Sequence, residues 1–559
     1  MFISCSAVDM GTRSATTRSA PVQAFASPPP PAPRRFRDPG QVPLWLRLSA
    51  LFVALLCLLP VLYLVLRGAE IGSDLWSILF RGRTARIFLN SVLLTLTVTA
   101  SATAIGVLLA WLTVRTDLPH RRFWSILTCL PIVLPSYVGA FALIATLGPN
   151  GALQHLLSVW GVTQLPSIYG FFGAWLALTL FTYPYVQLSV RAGLRGLDPS
   201  MEEAARSLGR SNLSAFRRVT LPHLQPAIVA GALLVALYTL SDFGAVSLLQ
   251  FDAFTRAIYV HYTGALDRSA AAILALLLVV LTLGILTMEY RLRGRSRYYR
   301  VSAGAARRQQ PMPLGVWKVP ALMFCGLLVF LALGIPLLVT GYWLIQDGAS
   351  VNVLRETVTI TLNSVAAAGL ASAACVLAAL PIVVYAVRFP DRHSRWMERC
   401  VYIAHGLPGI VVALALVFFG IRFVPALYQT WAMLILAYVI LFIPLALGNL
   451  RATLMQISPR IEEASRMLGK SARSTLSQIT VPLLRPGLLA GLALVFLTCM
   501  KELPATLILG PTGFPTLATR IWSATEEAYF ARAAAPALIL VAVSAISMWI
   551  ILRQEERVS

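Results

Sequence analysis

Long stretches free of Asp, Glu, Lys and Arg recur along this chain, separated by short polar segments. A helix crosses roughly 30 Å of hydrocarbon with about 20 mainly apolar residues. In the first half, runs of that order cover 48–66, 87–114, 123–190, 224–241 and 269–288. The third is too long for one crossing. Its middle, 148–170, contains Gly148-Pro149-Asn150-Gly151 and Leu165-Pro166-Ser167, which break helices, so it reads as two spans joined by an outer loop. In the second half the runs are 319–346, 357–387, 400–421, 423–450, 486–509 and 533–552, the fifth interrupted by Lys501-Glu502. The pattern predicts an all-α polytopic membrane protein of about twelve transmembrane helices.

The halves repeat one another. Leu89-Asn90-Ser91 recurs as Leu362-Asn363-Ser364 and Leu134-Pro135 as Leu407-Pro408, both 273 residues on. Glu202-Glu203-Ala204 recurs as Glu462-Glu463-Ala464, and Gly209, Pro222 and Pro226 as Gly469, Pro482 and Pro486, all 260 residues on. The first half therefore carries 13 extra residues between Pro135 and Glu202, where the outer loop tolerates an insertion best. Two parallel six-helix repeats place a translocation path between them.

Composition agrees with a bilayer environment: 58% of residues are apolar, 12% are charged, and the mean hydropathy is +0.75. The net charge of +23 raises nucleic acid as a partner, but its distribution argues otherwise. With both termini inside, the inner loops hold 35 of the 46 Lys and Arg residues, as the positive-inside rule requires. No basic patch is interleaved with aromatics, so no nucleic-acid partner is expected. Seven scattered cysteines lack C-x-x-C spacing and read as packing residues, with no metal site expected.

These features divide the chain into a disordered, Pro-rich cytoplasmic tail over 1–43, a first membrane domain over 44–292, a basic cytoplasmic linker over 293–318, a second membrane domain over 319–553 and a C-terminal tail over 554–559. The first span reads as an uncleaved anchor, because no short apolar stretch with a small-residue cleavage site precedes it.

The repeated inner loop carries the function. Its first copy has Glu202, Glu203, Ala204, Ala205 and Gly209, then Leu221-Pro222; its second has Glu462, Glu463, Ala464, Ser465 and Gly469, then Val481-Pro482. Acids in the first turn after Asp198-Pro199 or Ser458-Pro459 favour a helix start, and the glycines supply the stop. A second short helix, 211–219 or 471–479, is expected to end at the proline. Each loop should thus fold as helix, sharp turn, helix.

These residues resemble the Glu-Ala-Ala loop of binding-protein-dependent ABC importer permeases: Glu-Ala-Ala, three residues, Gly, nine residues, Ile, one residue, Leu-Pro. Val219, Ser465 and Val481 are the departures. The resemblance implies type I permease domains whose loops dock into two copies of a separate ABC ATPase subunit, with Glu203 and Glu463 ion-pairing to it. It also implies a periplasmic or lipid-anchored substrate-binding protein outside, and a bacterial inner-membrane location. Gly469-Lys470-Ser471 looks like the end of a P-loop, but Ala464 stands where its first Gly belongs. ATP and Mg are therefore expected on the partner subunits, with no cofactor and no catalysis on this chain.

Charge inside a membrane is costly and marks function or tight packing, which singles out Ser241-Asp242 and Lys501-Glu502. Either they line the path or they lock helices together. Segments such as 134–141, 241–246 and 501–506 resemble fused iron(III) permeases, while permeases for thiamine, polyamines, phosphonates or sulfate share the architecture. Tyr259, His261 and Tyr262 are metal-ligating types, though aromatics flanking a His also suit interfacial packing. An ion-coupled secondary transporter explains twelve spans and intramembrane charge, but not two docking loops.

Overall fold

The computed structural model describes residues 42–70, 74–149, 151–158, 160–161, 164–196, 207–209, 211, 214, 216–264, 268–292, 311–346 and 351–558. Among them there are helices and one isolated bridge, with no strand. Among the described residues eight helices are long and apolar enough to cross a membrane, and three bent pairs, each taken as one span, raise the number to eleven. The helix Phe171–Gly196 is also long enough, at 26 residues, but Tyr183, Pro184, Tyr185 and Gln187 make it less apolar. With it the expected twelve are reached.

In chain order these spans are numbered 1 to 6 in the first half and 1′ to 6′ in the second. Spans 1 (Leu44–Glu70), 2 (Gly82–Arg115), 4 (Phe171–Gly196), 5 (Leu221–Ser241) and 6 (Arg268–Leu292) are matched by 1′ (Gly315–Gln346), 2′ (Val351–Arg388), 4′ (Trp431–Gln456), 5′ (Leu476–Leu483 with Arg485–Met500) and 6′ (Phe530–Val558). Spans 3 (Arg121–Val133 with Ser136–Gln154) and 3′ (Arg392–Ala404 with Gly409–Phe423) are bent by 95° and 104°. The repeated Leu-Pro dipeptide causes both bends. Pro135 and Pro408 are extended, with ψ of 145° and 143°, and each opens the second limb where its missing N–H costs nothing.

Small residues let the central spans approach. A Cβ on Gly106 of span 2 would lie 2.8 Å from the Val186 Cβ of span 4, and one on Gly231 of span 5 would lie 2.7 Å from the Val186 Cα. In hydrocarbon, such contacts replace the hydrophobic drive that water supplies elsewhere.

The first spans are exchanged between halves. Tyr63 of span 1 packs edge-on against Phe419 and Phe423 of span 3′, both at 6.3 Å, and Glu70 lies 3.7 Å from Arg422. Val339 of span 1′ joins a buried cluster with Phe141 and Ala145 of span 3. Residues Pro43–Ser559 consequently form one compact unit. The end of the connecting segment is fastened to the end of span 2. Met312 donates to the Arg115 carbonyl at 2.8 Å, and Lys318 pairs with Asp117 at 2.8 Å.

Candidate functional site: the inner loops and the central break

The second copy of the repeated inner loop is described throughout its backbone. Helix Pro459–Met467 begins after Ser458, and Gly469 ends it with φ at +85°, a left-handed conformation that favours glycine. In the first copy Gly209 has φ at +81°, whereas Glu202, Glu203, Ala204 and Ala205 lie outside the described residues.

The neighbouring acids of the second copy face opposite ways. Glu463 and Ala464 are exposed, together with Met467 at 89% and Leu468 at 85%, so an acid and two large apolar side chains share the exposed face of the loop. Glu462 is buried. Its Oε1 accepts from Arg388 Nε at 3.0 Å, at the end of span 2′, and from Thr480 Oγ1 at 3.1 Å, at the root of span 5′. Arg388 also donates to the Ile457 carbonyl at 3.2 Å. Ser465 is buried against Thr475, 3.1 Å between hydroxyls.

The second short helix differs from expectation. It does not stop at the proline: Ala472–Thr475 continues through a π-turn, Leu476–Thr480, into Val481–Leu483 and then span 5′, bending by 64°. The first copy does the same through Phe216–Thr220 into Leu221–Ser241. Pro222 and Pro482 follow directly on these π-turns, which accommodate a residue that cannot donate its N–H within a continuous helix. The loop is thus joined to the fifth span without an intervening coil.

At the outer end of that span both halves break. Span 5 ends at Ser241, whose hydroxyl donates to the Tyr238 carbonyl at 3.0 Å. Asp242 is buried and accepts from the Ser136 hydroxyl, from Ala245 N–H at 2.9 Å and from Val246 N–H at 3.4 Å. It thereby anchors the short helix Gly244–Leu248 to the elbow of span 3. In the second half Glu502 accepts from Ala505 N–H at 3.2 Å, at the start of Pro504–Leu509. Gly409 replaces Ser136 there, and a Cβ at that position would collide with Glu502. Lys501 crosses between the halves, donating to the Ile132 carbonyl at 3.1 Å. The acids are therefore held as helix anchors and the lysine as a bridge.

The repeated Leu-Asn-Ser motif has a defined task. Asn90 donates to the Asp252 carbonyl at 3.1 Å and Ser91 accepts from Phe254 N–H at 3.0 Å; Asn363 and Ser364 do the same for Pro515 and Leu517, at 3.0 and 2.7 Å. Each motif clamps the outer helix of its half, Phe254–Thr263 or Leu517–Glu526. Tyr259 and Trp522 occupy matching places in those helices, 6.3 Å apart, and Phe243 packs on both, at 5.0 and 4.9 Å. Tyr259 is thus a packing residue. Among the described residues no three His, Cys, Asp or Glu side chains gather to hold a metal.

Sequence reasoning missed the Arg388–Glu462–Thr480 group and the Ser136–Asp242 contact. The signal for the first was present, since Arg115 and Arg388 are related by the same 273-residue offset as the other motifs of the early spans.

The family model described as "Binding-protein-dependent transport system inner membrane component" matches residues 102–297 and again 377–559. The Fe(3+)-transport system permease protein FbpB 2 of Haemophilus influenzae is 34% identical over 518 residues, covering 92% of this chain and 99% of that protein. The probable ABC transporter permease protein y4fN of Sinorhizobium fredii is 26% identical, covering 91% and 94%. The sulfate transport system permease protein CysT of Salmonella typhimurium is 31% identical but covers only 35% of this chain and 71% of its own length. Two family matches on a multi-pass helical membrane protein leave one assignment: the chain belongs to the binding-protein-dependent transport system inner membrane components and is a transport subunit, not an enzyme.

Proposed function

We propose that this chain is the permease subunit of an ATP-driven importer that carries iron(III) into the cytoplasm. The observation that carries the substrate is the extent of likeness. The Fe(3+) permease matches over nearly its whole length and both halves, whereas the sulfate permease matches about a third of this chain. A match through both halves includes the central break and the outer helices, where substrate passes and a binding protein docks.

In this reading the inner loops receive two copies of an ABC ATPase subunit, one per half, with Glu203 and Glu463 as the ion-pairing acids. The exposure of Glu463 beside Met467 and Leu468 supports the second of these sites. An acid flanked by large apolar side chains fits a socket that is apolar with a basic rim. ATP and Mg belong to those subunits. A substrate-binding protein delivers iron from outside, the protein resides in a bacterial inner membrane, and both termini face the cytoplasm, as the basic inner loops require. The two membrane domains are 44–292 and 319–553, joined by the basic linker 293–318.

Uptake of radiolabelled iron(III) by iron-starved cells lacking the chain tests this. Restoration by the natural sequence, and its loss in the Glu203→Arg, Glu463→Arg double variant, is expected. No restoration by the natural sequence overturns iron as substrate; restoration by the double variant overturns the docking role.

A further inference from the structure

Glu462 differs from Glu463 in what it can do. It is 7% exposed, so it offers nothing to a partner, yet it stands between three elements. Through Arg388 it holds the inner end of span 2′, through Thr480 the π-turn at the root of span 5′, and its own helix carries the exposed face of the loop. Both ion-pair side chains are only 10% exposed, so screening by salt is weak. Arg388 is further fixed by the Ile457 carbonyl immediately before the loop helix.

We propose that Arg388, Glu462 and Thr480 form an internal strut that makes the loop helix, the inner end of span 2′ and the root of span 5′ move as one body. A push on the exposed face is then delivered to two membrane spans at once instead of being absorbed at the Gly469 turn. These are positioning residues, acting through the spans they join. The inference rests on the docking reading only for where the push originates. Arg115 and Glu202 hold the corresponding positions of the first half in sequence, at offsets of 273 and 260.

The test measures the separation of two spin labels by pulsed electron resonance in the full chain in nanodiscs. Lys470→Cys reports the loop and His393→Cys the segment after span 2′; both sites are exposed. A Cys5→Ser background suffices because the six other cysteines are buried. The strut predicts one narrow distance that stays the same when the ATPase subunit and ATP are added. Glu462→Gln should broaden it in the chain alone and shift it by about 2 Å or more once ATP is bound. The Arg388→Glu, Glu462→Arg exchange should narrow it again. Should Glu462→Gln not assemble, Glu462→Asp, which keeps the charge and shortens the reach, is read the same way. A distance that moves with ATP in the natural sequence overturns the strut, as does one that Glu462→Gln and Glu462→Asp leave narrow. Failure of the natural chain to bind an ATPase overturns the docking reading instead, and the measurement on the chain alone still decides the strut.

Discussion

The central breaks of the two halves solve one problem with different residues. In the first half Ser136 donates to a short acid, Asp242, and span 5 ends on a small hydroxyl, Ser241. In the second half the serine is replaced by Gly409, the acid is one methylene longer, and Lys501 takes the place of Ser241 and reaches Ile132 in the opposite half. The frame around the breaks is by contrast duplicated nearly atom for atom, as the Asn90-Ser91 and Asn363-Ser364 clamps illustrate. A duplicated fold keeps its symmetry where helices must be held, and loses it where two halves meet at one axis. There a single lysine can bridge to the facing half, while two symmetry-related ones would repel.

The comparison can be broken most severely at the elbow of span 3. A Cβ on Gly139 would fall within the Phe181 ring, whereas the corresponding positions of the second half hold Val412 and Leu441, both buried. Gly139→Val should therefore cost about 3 kcal/mol through overpacking, seen as a lowered thermal midpoint in detergent. The Gly139→Val, Phe181→Leu pair, which copies the second half, should recover most of it. Failure of the pair to recover would mean that the two elbows do not pack alike.

A smaller loss is expected at the anchors. Ser136→Ala removes the hydroxyl that Asp242 accepts from and should cost about 2 kcal/mol, because a buried acceptor is left short of a donor. Gly409→Ala should act by the opposite route, displacing Glu502 from Ala505. Thermal melting of both variants, alone and combined, should give nearly additive losses if the two anchors are independent.

The smallest effect lies at the linker. The hydrogen bond from Lys318, assisted by the Leu314 N–H, holds the Asp117 carboxyl below its ordinary value. A depressed carboxyl stabilises the folded state above its unfolded pKa, and that stabilisation disappears as pH falls through the folded value. Asp117→Asn should therefore lower stability slightly at neutral pH and flatten the acid limb of a stability–pH profile, the two profiles converging at low pH; the loss is small because the pair is partly exposed and screened. An unchanged acid limb would show that this clasp contributes nothing.

Much of this is legible in the amino-acid sequence. Span number, the doubled repeat and the loop motif follow from local rules, because every backbone polar group in a bilayer must be satisfied within its own helix and a run of apolar residues announces it. The Leu-Pro dipeptides at 134–135 and 407–408 were legible as a repeat but not as elbows, which the structure places there with bends of 95° and 104°. Residues whose partners are distant in sequence were not legible. Glu462 and Glu463 are adjacent and alike, and only packing against Arg388 and Thr480 separates a buried strut from an exposed face. Likewise Lys501 meets Ile132 across 369 residues.

The sequence by itself determined that this protein spans a membrane as two six-helix repeats with a paired inner loop, since periodicity and short motifs act over a few turns of chain. Only the tertiary structure decided that the first spans are exchanged, that Asp242 and Glu502 serve as helix anchors, and that Lys501 bridges the halves. Burial and hydrogen-bond partnership depend on what the rest of the chain brings alongside, and no local pattern encodes that.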